Sequence, residues 1–227
     1  MAVSRRRGVQ SSATRAELIE AAATLICEEG YAALTSRTLA DRLNLSRQIV
    51  HYYFKSIDEV LVALVQQRAA KSLALLEQAL GSAEPLRAVW EICSNPDQAA
   101  LSLELNALAN RRPAVRAEVK RFAEQFRQIQ AHALVRHLEQ RGIEPAIKPI
   151  VATVLLTCLS QILALEAQID IELGHKETLE LVDACLRAFA NDGKSGINFP
   201  EAKRAVSGGE RARPASSRRR ARPAREL

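Results

Sequence analysis

A short stretch near the N-terminus concentrates side chains that can bind both base edges and phosphate groups. Residues 36–54 read SRTLADRLNLSRQIVHYYF, with two short helical patterns on either side of the turn residues Asn44, Leu45 and Ser46. The apolar residues of both patterns have the spacing of one common core, which comprises Leu39, Ala40, Leu43, Leu45, Val50 and Phe54. Two short helices joined in this way predict a helix-turn-helix, in which the second helix reads DNA.

The side of this second helix that points away from the core carries Arg47, Gln48, Ile49, His51 and Tyr52. Arginine and glutamine can each make two hydrogen bonds to a base edge, and isoleucine can pack on a thymine methyl group. Hydroxyl, imidazole and amine groups, together with the amides of a helix N-terminus, suit phosphate. The predicted DNA-binding residues are Thr35, Ser36, Arg37, Ser46, Arg47, Gln48, Ile49, His51, Tyr52 and Lys55. Spacing alone leaves open a plain amphipathic hairpin with a solvated polar side.

Capping signals predict the helices that must position this segment. Thr14 and Glu17 form a capping box that opens a helix over 15–29, and Gly30 stands where its C-terminal cap belongs. Ser46 caps a helix over 47–53. Ser56 with Glu59 forms a second capping box, which opens a long helix to Leu80.

Beyond residue 80, the sequence has further helical patterns at 84–94, 97–110, 113–141, 146–168 and 175–191, and prolines lie at or near the starts of most of them. No strand pattern of useful length appears. The expected fold is all-α, with a three-helix N-terminal helix-turn-helix domain followed by a helical ligand-binding and dimerisation domain. The expected divisions are a flexible basic arm (1–12), the DNA-binding domain (13–56), the ligand-binding and dimerisation domain (57–195) and a disordered basic tail (196–227).

The charge of the chain is concentrated at its two ends. Residues 203–227 carry nine Lys or Arg and two Glu, and residues 1–55 carry eight basic and five acidic residues, whereas 56–202 has a net charge of −4. This asymmetry favours a polyanionic partner met by the ends. Arg5, Arg6 and Arg7 are predicted to enter a minor groove. The tail from Arg211 to Arg225 either adds salt-dependent affinity for DNA or only increases solubility.

No pattern supports a metal, a cofactor or an enzyme. The four cysteines have no zinc-site spacing and are expected to be reduced and buried, and no nucleophile or metal-protease motif occurs. The uncharged run 149–165 is short and polar for a membrane span, so it is interpreted as a helix buried by protein. We therefore expect no cofactor, no metal ion, no membrane partner, and a cytoplasmic, nucleoid-associated protein.

The stretch from Thr14 to Leu61 resembles the N-terminal DNA-binding domain of TetR-type transcriptional regulators. The resemblance is carried by the motifs Glu29-Gly30-Tyr31, Thr38-Leu39-Ala40, Leu45-Ser46-Arg47, Tyr52-Tyr53-Phe54-Lys55-Ser56 and Asp58-Glu59. It implies an all-helical, dimeric, allosteric protein whose C-terminal domain holds a ligand pocket and a dimer-forming helix pair. Three positions depart from the family pattern: Asn44 replaces a glycine, His51 a tyrosine and Ile57 a lysine, which removes one expected phosphate contact.

Candidates for the pocket are apolar residues of the middle helices, which would suit a small hydrophobic effector: Trp90, Cys93, Leu101, Leu105, Phe122, Phe126 and Ile129. Glu104 and Gln125 are candidate orienting groups. Ordinary core packing explains the same apolar stripes without any ligand.

Candidates for the dimer interface lie on the last two helices. Small side chains share one side of the first, and apolar side chains share one side of the second: Thr153, Thr157, Ser160 and Ala164, then Leu179, Val182, Leu186 and Phe189. Two such helices from each of two chains would form a four-helix bundle. The alternative is that both sides pack within one chain.

These observations predict a sequence-specific, ligand-responsive, homodimeric repressor that binds a near-palindromic double-stranded DNA operator. Two alternatives stay open. One is a non-specific DNA-binding protein driven by its basic termini, and the other is a helical small-molecule-binding protein with an inactive helix-turn-helix.

Overall fold

A computed structural model describes residues 2–144 and 147–190, with side chains over 12–144 and 147–188. The described residues contain no strand and form nine α-helices: α1 (Ala2–Glu29), α2 (Ser36–Arg42), α3 (Arg47–Tyr53), α4 (Ile57–Leu80), α5 (Pro85–Cys93), α6 (Pro96–Ala109), α7 (Pro113–Gln140), α8 (Pro149–Ala167) and α9 (His175–Ala190). The expected all-α fold with an N-terminal helix-turn-helix is confirmed. The predicted tail, 196–227, lies outside the described residues.

The first helix begins earlier than the capping box predicts. It starts at Ala2 and not at residue 15, so Thr14 lies inside the helix and is not its N-cap. Most of the segment predicted as a flexible arm therefore has a helical backbone. Apart from Gly8, no glycine or proline interrupts residues 2–14, and one glycine costs a helix only about 1 kcal/mol. The side chains of Arg5, Arg6 and Arg7 lie outside those that the structure describes.

A tight turn at Asn44 sets the angle between α2 and α3. Asn44 has φ 53°, in the left-handed region. The amide of Leu45 donates to the carbonyl of Ala40 at 2.9 Å, and the amide of Asn44 donates to that of Asp41 at 3.3 Å. This pair of bonds is the Schellman arrangement, which satisfies the last carbonyls of α2. Asparagine tolerates the required φ, so the turn forms without the glycine usual in the family.

The core of the first three helices is shared with the rest of the chain. Leu18, Ile26, Leu39, Val50 and Phe54 pack with Val60, Leu61 and Leu64 of α4, and the same cluster includes Leu101, Leu105, Leu108 and Val115 of α6 and α7. Each fully buried leucine or valine contributes about 1.5–3 kcal/mol. Helices α4 and α6 are therefore packed parts of the N-terminal domain as well as of the second domain.

The second domain has two smaller apolar clusters. Leu76, Val89 and Phe126 join α4, α5 and α7, whereas Trp90, Val182 and Leu186 join α5 to α9. Helix α8 contacts α5, α6 and α7, and its Leu156, Leu159 and Leu163 pack against the cluster of Trp90, Val182 and Leu186. Its remaining surface is exposed, so the expectation that this run is buried by protein is met on one side alone.

The cysteines are free, as expected, but they are not all buried. Cys27 and Cys158 are exposed, and Cys93 and Cys185 are half-buried. Burial had been expected because cysteine is commonly an apolar core residue.

Candidate nucleic-acid interface and ligand cavity

Helix α3 presents a polar side to solvent and an apolar side to the core. Arg47, Gln48 and His51 are exposed, Ile49 is 36% exposed, and Tyr52 is 78% exposed. Behind them Val50 and Phe54 are only 1% and 3% exposed. The five candidate base-reading and phosphate-binding side chains thus share one accessible surface, which we call the reading face.

Two hydroxyls near the reading face differ in how they are engaged. The Thr35 hydroxyl accepts a hydrogen bond from the amide of Thr38 at 3.1 Å, in a reciprocal capping box at the start of α2. Ser46 is the N-cap of α3, but its side chain makes no capping hydrogen bond. Of these two N-cap residues, only Ser46 has a hydroxyl that is free of capping.

The remaining predicted contacts flank the reading face. Ser36 is half-buried, while Arg37 is exposed with its guanidinium 3.6 Å from Asp41. Lys55 is exposed, and its amide donates to the Glu59 carboxylate at 2.9 Å at the start of α4. Arg37 and Lys55 place positive charge at two edges of the reading face, as phosphate contacts require.

A cavity of about 300 Å³ lies in the second domain between α4, α5, α6, α7 and α8. Five of the predicted pocket residues line it: Cys93, Leu101, Leu105, Phe122 and Phe126. Trp90 and Ile129 do not. Trp90 packs on α9 against Val182 and Leu186, and Ile129 packs in the cluster of Leu76 and Val89. The apolar period of a helix identifies its buried residues but not which neighbour they meet, so these two could not be separated from the lining by sequence.

Several polar residues that sequence reasoning missed also line the cavity. Arg68, Lys71 and Arg127 are among them, with Gln98, Asn106 and Gln161, whereas Glu104 and Gln125 are not. The sequence does contain a pattern that could have identified the α4 residues as part of the cavity lining. Val65, Arg68, Ala69 and Ser72 recur at the spacing of one helix side, so a charged residue interrupts an otherwise apolar or small stripe.

A small polar cluster adjoins the cavity at α5, α7 and α8. The Thr157 hydroxyl donates to Gln130 Oε1 at 3.4 Å, while the buried Nε2 of Gln130 has no partner among the described residues. Burial raises the pKa of the Cys93 thiol to about 11, against weaker opposing hydrogen bonds from Thr157, Gln130 and Ser160. Cys93 is therefore a neutral thiol at physiological pH and has none of the thiolate character of a nucleophile.

The predicted interface side of α8 lies inside the chain. Thr153, Ser160 and Ala164 are 5%, 0% and 7% exposed, and Thr157 lines the cavity. Small side chains allow close approach, and the close neighbours here are helices of the same chain. The buried Ser160 hydroxyl donates to the Thr157 carbonyl, which satisfies it within α8.

The predicted interface residues of α9 are also largely inside the chain. Val182 and Leu186 are buried, Leu179 is 45% exposed, and the side chain of Phe189 lies outside those described.

The exposed apolar side of α8 is not the predicted one. It is formed by Val151, Leu155 and Ile162, which are 43%, 58% and 47% exposed. We call these three residues the outer face of α8.

Among the described residues, α8 is also the one helix that is long and apolar enough to cross a membrane by length and composition alone. The described residues contain no group of three or more His, Cys, Asp or Glu that could hold a metal ion.

The loop between α6 and α7 connects the two domains through Arg112. Its guanidinium donates to the Asp58 carboxylate at the start of α4 and to the Tyr31 hydroxyl, and it lies 4.8 Å from the centre of the Tyr31 ring. The Arg112 side chain thus connects the segment that follows α1 to the start of α4.

Several solved structures that share this fold are described as transcriptional regulators. One from Saccharomonospora viridis, in complex with choline, has a TM-score of 0.65 at 18% identity, covering 76% of this chain and 96% of its own. A TetR transcription regulator from Haloarcula marismortui has a TM-score of 0.63 at 21% identity, covering 79% and 97%. The regulator FadR from Bacillus subtilis, in complex with stearoyl-CoA, has a TM-score of 0.58 at 15% identity, covering 78% and 97%.

No curated protein matches the chain by sequence. At the level of sequence families, residues 18–64 match the profile described as "Bacterial regulatory proteins, tetR family". This match includes α2, α3 and the start of α4, and hence the reading face. The chain therefore carries the N-terminal helix-turn-helix domain of the tetR family of bacterial regulatory proteins, on the fold of TetR-family transcriptional regulators.

Proposed function

We propose that the protein is a ligand-responsive homodimer that represses transcription by binding a near-palindromic operator. The observation that carries this proposal is the reading face, whose five side chains are exposed while Val50 and Phe54 hold the same helix in the core. Two reading faces related by a dimer axis would enter successive major grooves about 34–36 Å apart. The proposed location is the cytoplasm, on the nucleoid, and no enzymatic role is proposed.

The cavity supports an effector-binding role for the second domain. Its volume of about 300 Å³ is at the lower end of small-molecule sites, and its walls are mostly apolar. Two structural neighbours were solved with small molecules, choline in one and stearoyl-CoA in the other. We propose that a small molecule with an apolar body occupies the cavity of this protein.

The outer face of α8 supports dimerisation. Three large aliphatic side chains on one side of a helix are exposed in a single chain, and Leu179 of α9 adds a fourth exposed aliphatic side chain. A contiguous exposed apolar patch commonly marks a contact with another protein. We propose that the outer face of α8 packs against its counterpart in a second copy.

Helices α4 and α6 would transmit the effect of the ligand. Val65 and Leu101 line the cavity and also belong to the core cluster that holds the DNA-binding helices. A ligand that favours one arrangement of α4 and α6 would change the separation of the two reading faces. Release of the operator then requires that ligand and DNA prefer different arrangements of the dimer.

A mobility-shift titration on DNA upstream of the protein's own gene, or on DNA selected from random sequence, tests the proposal. Arg47→Ala and Gln48→Ala should each weaken binding to the selected DNA by about tenfold or more, because each removes a bidentate base contact worth about 1–3 kcal/mol. Arg136→Ala is the matched control: it removes one exposed positive charge from α7, away from the reading face. Equal affinity for selected and scrambled DNA would contradict the proposal.

Removal of residues 203–227, which carry a net charge of +7, separates the proposal from non-specific binding. A sequence-specific regulator keeps its preference for the selected DNA over scrambled DNA when the tail is absent. Loss of most affinity on truncation, together with no effect of Arg47→Ala, would instead identify a DNA-coating protein driven by its charged termini.

A further inference from the structure

The charged residues that line the cavity all have the same sign. Arg68 and Lys71 approach from α4 and Arg127 from α7, and none of the described residues lining the cavity is Asp or Glu. The cavity is also lined by the buried apolar side chains of Leu101, Leu105 and Phe126. The cavity thus combines an apolar part with a cationic part.

Two of the cations have unused hydrogen-bonding capacity. Arg127 is half-buried and has no side-chain partner among the described residues. Arg68 has a buried Nε with no hydrogen-bond partner among the described residues, although its Nη2 lies 3.5 Å from the Glu20 carboxylate. A buried guanidinium nitrogen left unpaired costs free energy that an anionic acceptor recovers.

Glu20 is the acid that now pairs with this side of the cavity. It lies on α1 of the DNA-binding domain, and its carboxylate accepts hydrogen bonds from Lys71 and Gln67 of α4. These contacts, with the charge of Arg68, hold the pKa of Glu20 below its usual value, the hydrogen bond from Lys71 being the largest cause. An anion bound at Arg68 and Lys71 would compete with Glu20 for the same cations.

We propose that the effector is an amphipathic anion, with an apolar body against α6 and α7 and one acidic group bound by Arg127 and Arg68. The inference rests on the proposed regulator function and specifies its ligand. A cationic ligand would meet three like charges, and the Glu20 carboxylate that pairs with two of them is not among the residues lining the cavity. A neutral apolar ligand would leave the Arg68 Nε buried and unpaired. Competition with Glu20 would also couple the acidic group of the ligand to α1 of the DNA-binding domain.

The test compares three probes that share one chain length: decanoate, 1-decanol and decyltrimethylammonium, each below its micelle concentration. Isothermal titration calorimetry on the full-length protein measures their affinities, and circular dichroism checks that each variant is folded. Decanoate should bind at least about tenfold more tightly than the other two probes, because it alone has a carboxylate that can accept charge-assisted hydrogen bonds from the arginines. Equal or tighter binding of decanol or of the ammonium compound overturns the inference, as does the absence of binding by all three.

Variants assign the charge preference to named residues. Arg127→Gln and Arg68→Gln should remove the preference for decanoate over decanol, whereas Arg121→Gln, on the exposed side of α7 and paired with Glu118, should keep it. Glu20→Gln should raise the affinity for decanoate several-fold because the competing carboxylate is gone, a gain that misfolding cannot produce. An unchanged preference in both arginine variants overturns the inference.

Operator binding measured on the same samples keeps this inference distinct from the proposed function. If decanol binds as tightly as decanoate and still releases the operator, the regulator proposal stands and the anion inference falls. If decanoate binds in an arginine-dependent way while the protein shows no preference among DNA sequences, the regulator proposal falls and the assignment of the cavity stands.

Discussion

At Gly30 the chain leaves α1 with φ 79° and ψ 165°, a conformation that residues with a Cβ rarely adopt. The Gly30 amide donates to the carbonyl of Ile26 at 3.1 Å, which closes the last turn of the helix. A Cβ placed there would meet no atom within 4 Å. Glycine is therefore required at position 30 because of the backbone conformation, and not because a side chain would clash with a neighbour.

Gly30→Ala should lower the free energy of unfolding by about 1–2 kcal/mol, the cost of placing an L-residue at positive φ. Gly81→Ala is the matched control, since Gly81 follows α4 with φ −87° and a Cβ there would lie at ordinary contact distance, 3.6 Å from the nearest atom. That change should be neutral or slightly stabilising. Urea unfolding followed by circular dichroism measures both, and equal losses would show that the φ of Gly30 does not matter.

Among the elements, the loop between α6 and α7 has the most direct connection to both domains. Leu108 and Val115, on either side of it, belong to the core cluster of the DNA-binding helices. Between them Arg112 contacts Asp58 and Tyr31, with side-chain exposures of 28% for Arg112 and 44% for Asp58. Since the pair is partly exposed, its ionic contribution is modest, and the hydrogen bond to Tyr31 and the ring contact add to it.

Arg112→Ala should lower the free energy of unfolding by about 1–2 kcal/mol, because it removes two hydrogen bonds and a cation–π contact. Arg111→Ala is the neighbouring control; Arg111 is exposed, and its substitution should cost less than about 0.5 kcal/mol. A double-mutant cycle with Asp58→Asn should give a coupling of about 0.5–1 kcal/mol. A coupling of zero would mean that the contact contributes nothing to holding the domains together.

The positions of the helices could be predicted from sequence because their ends carry local signals. The predicted helix 47–53 is confirmed, and the long helix after Ser56 ends at Leu80 as expected. The start of α1 could not be predicted, because a capping box can equally occur inside a longer helix. The neighbours of Trp90 and the buried side of α8 could not be predicted either, because they depend on how the helices pack against each other and not on the sequence of any one helix.

The two sides of α8 raise the question of how the whole molecule assembles. One side packs on α5, α6 and α7, while Val151, Leu155 and Ile162 on the outer face are exposed. Both sides consist of apolar or small residues, so sequence alone could not tell the inner side from the outer. The two sides differ in burial, and this difference places the proposed dimer contact on the exposed large aliphatic residues.

Leu155→Glu should convert the proposed dimer to a monomer, since a carboxylate would be buried at the proposed interface without a partner. Leu103→Glu is the matched control, because Leu103 on α6 is 53% exposed against 58% for Leu155 and lies outside the outer face of α8. Sedimentation velocity measures the oligomeric state, and a mobility shift on the same samples should show weaker operator binding for Leu155→Glu alone. A dimer that survives Leu155→Glu would rule out this interface.

The dual membership of α6 has a consequence for how such a protein can change over generations. Leu101 and Leu105 line the cavity and also pack in the core that supports the reading face, so substitutions there alter ligand preference and domain stability together. Phe122, Cys93 and Thr157 line the same cavity but lie outside that core. Evolution toward a new inducer, or the engineering of a biosensor, should therefore proceed more readily through α5, α7 and α8 than through α6.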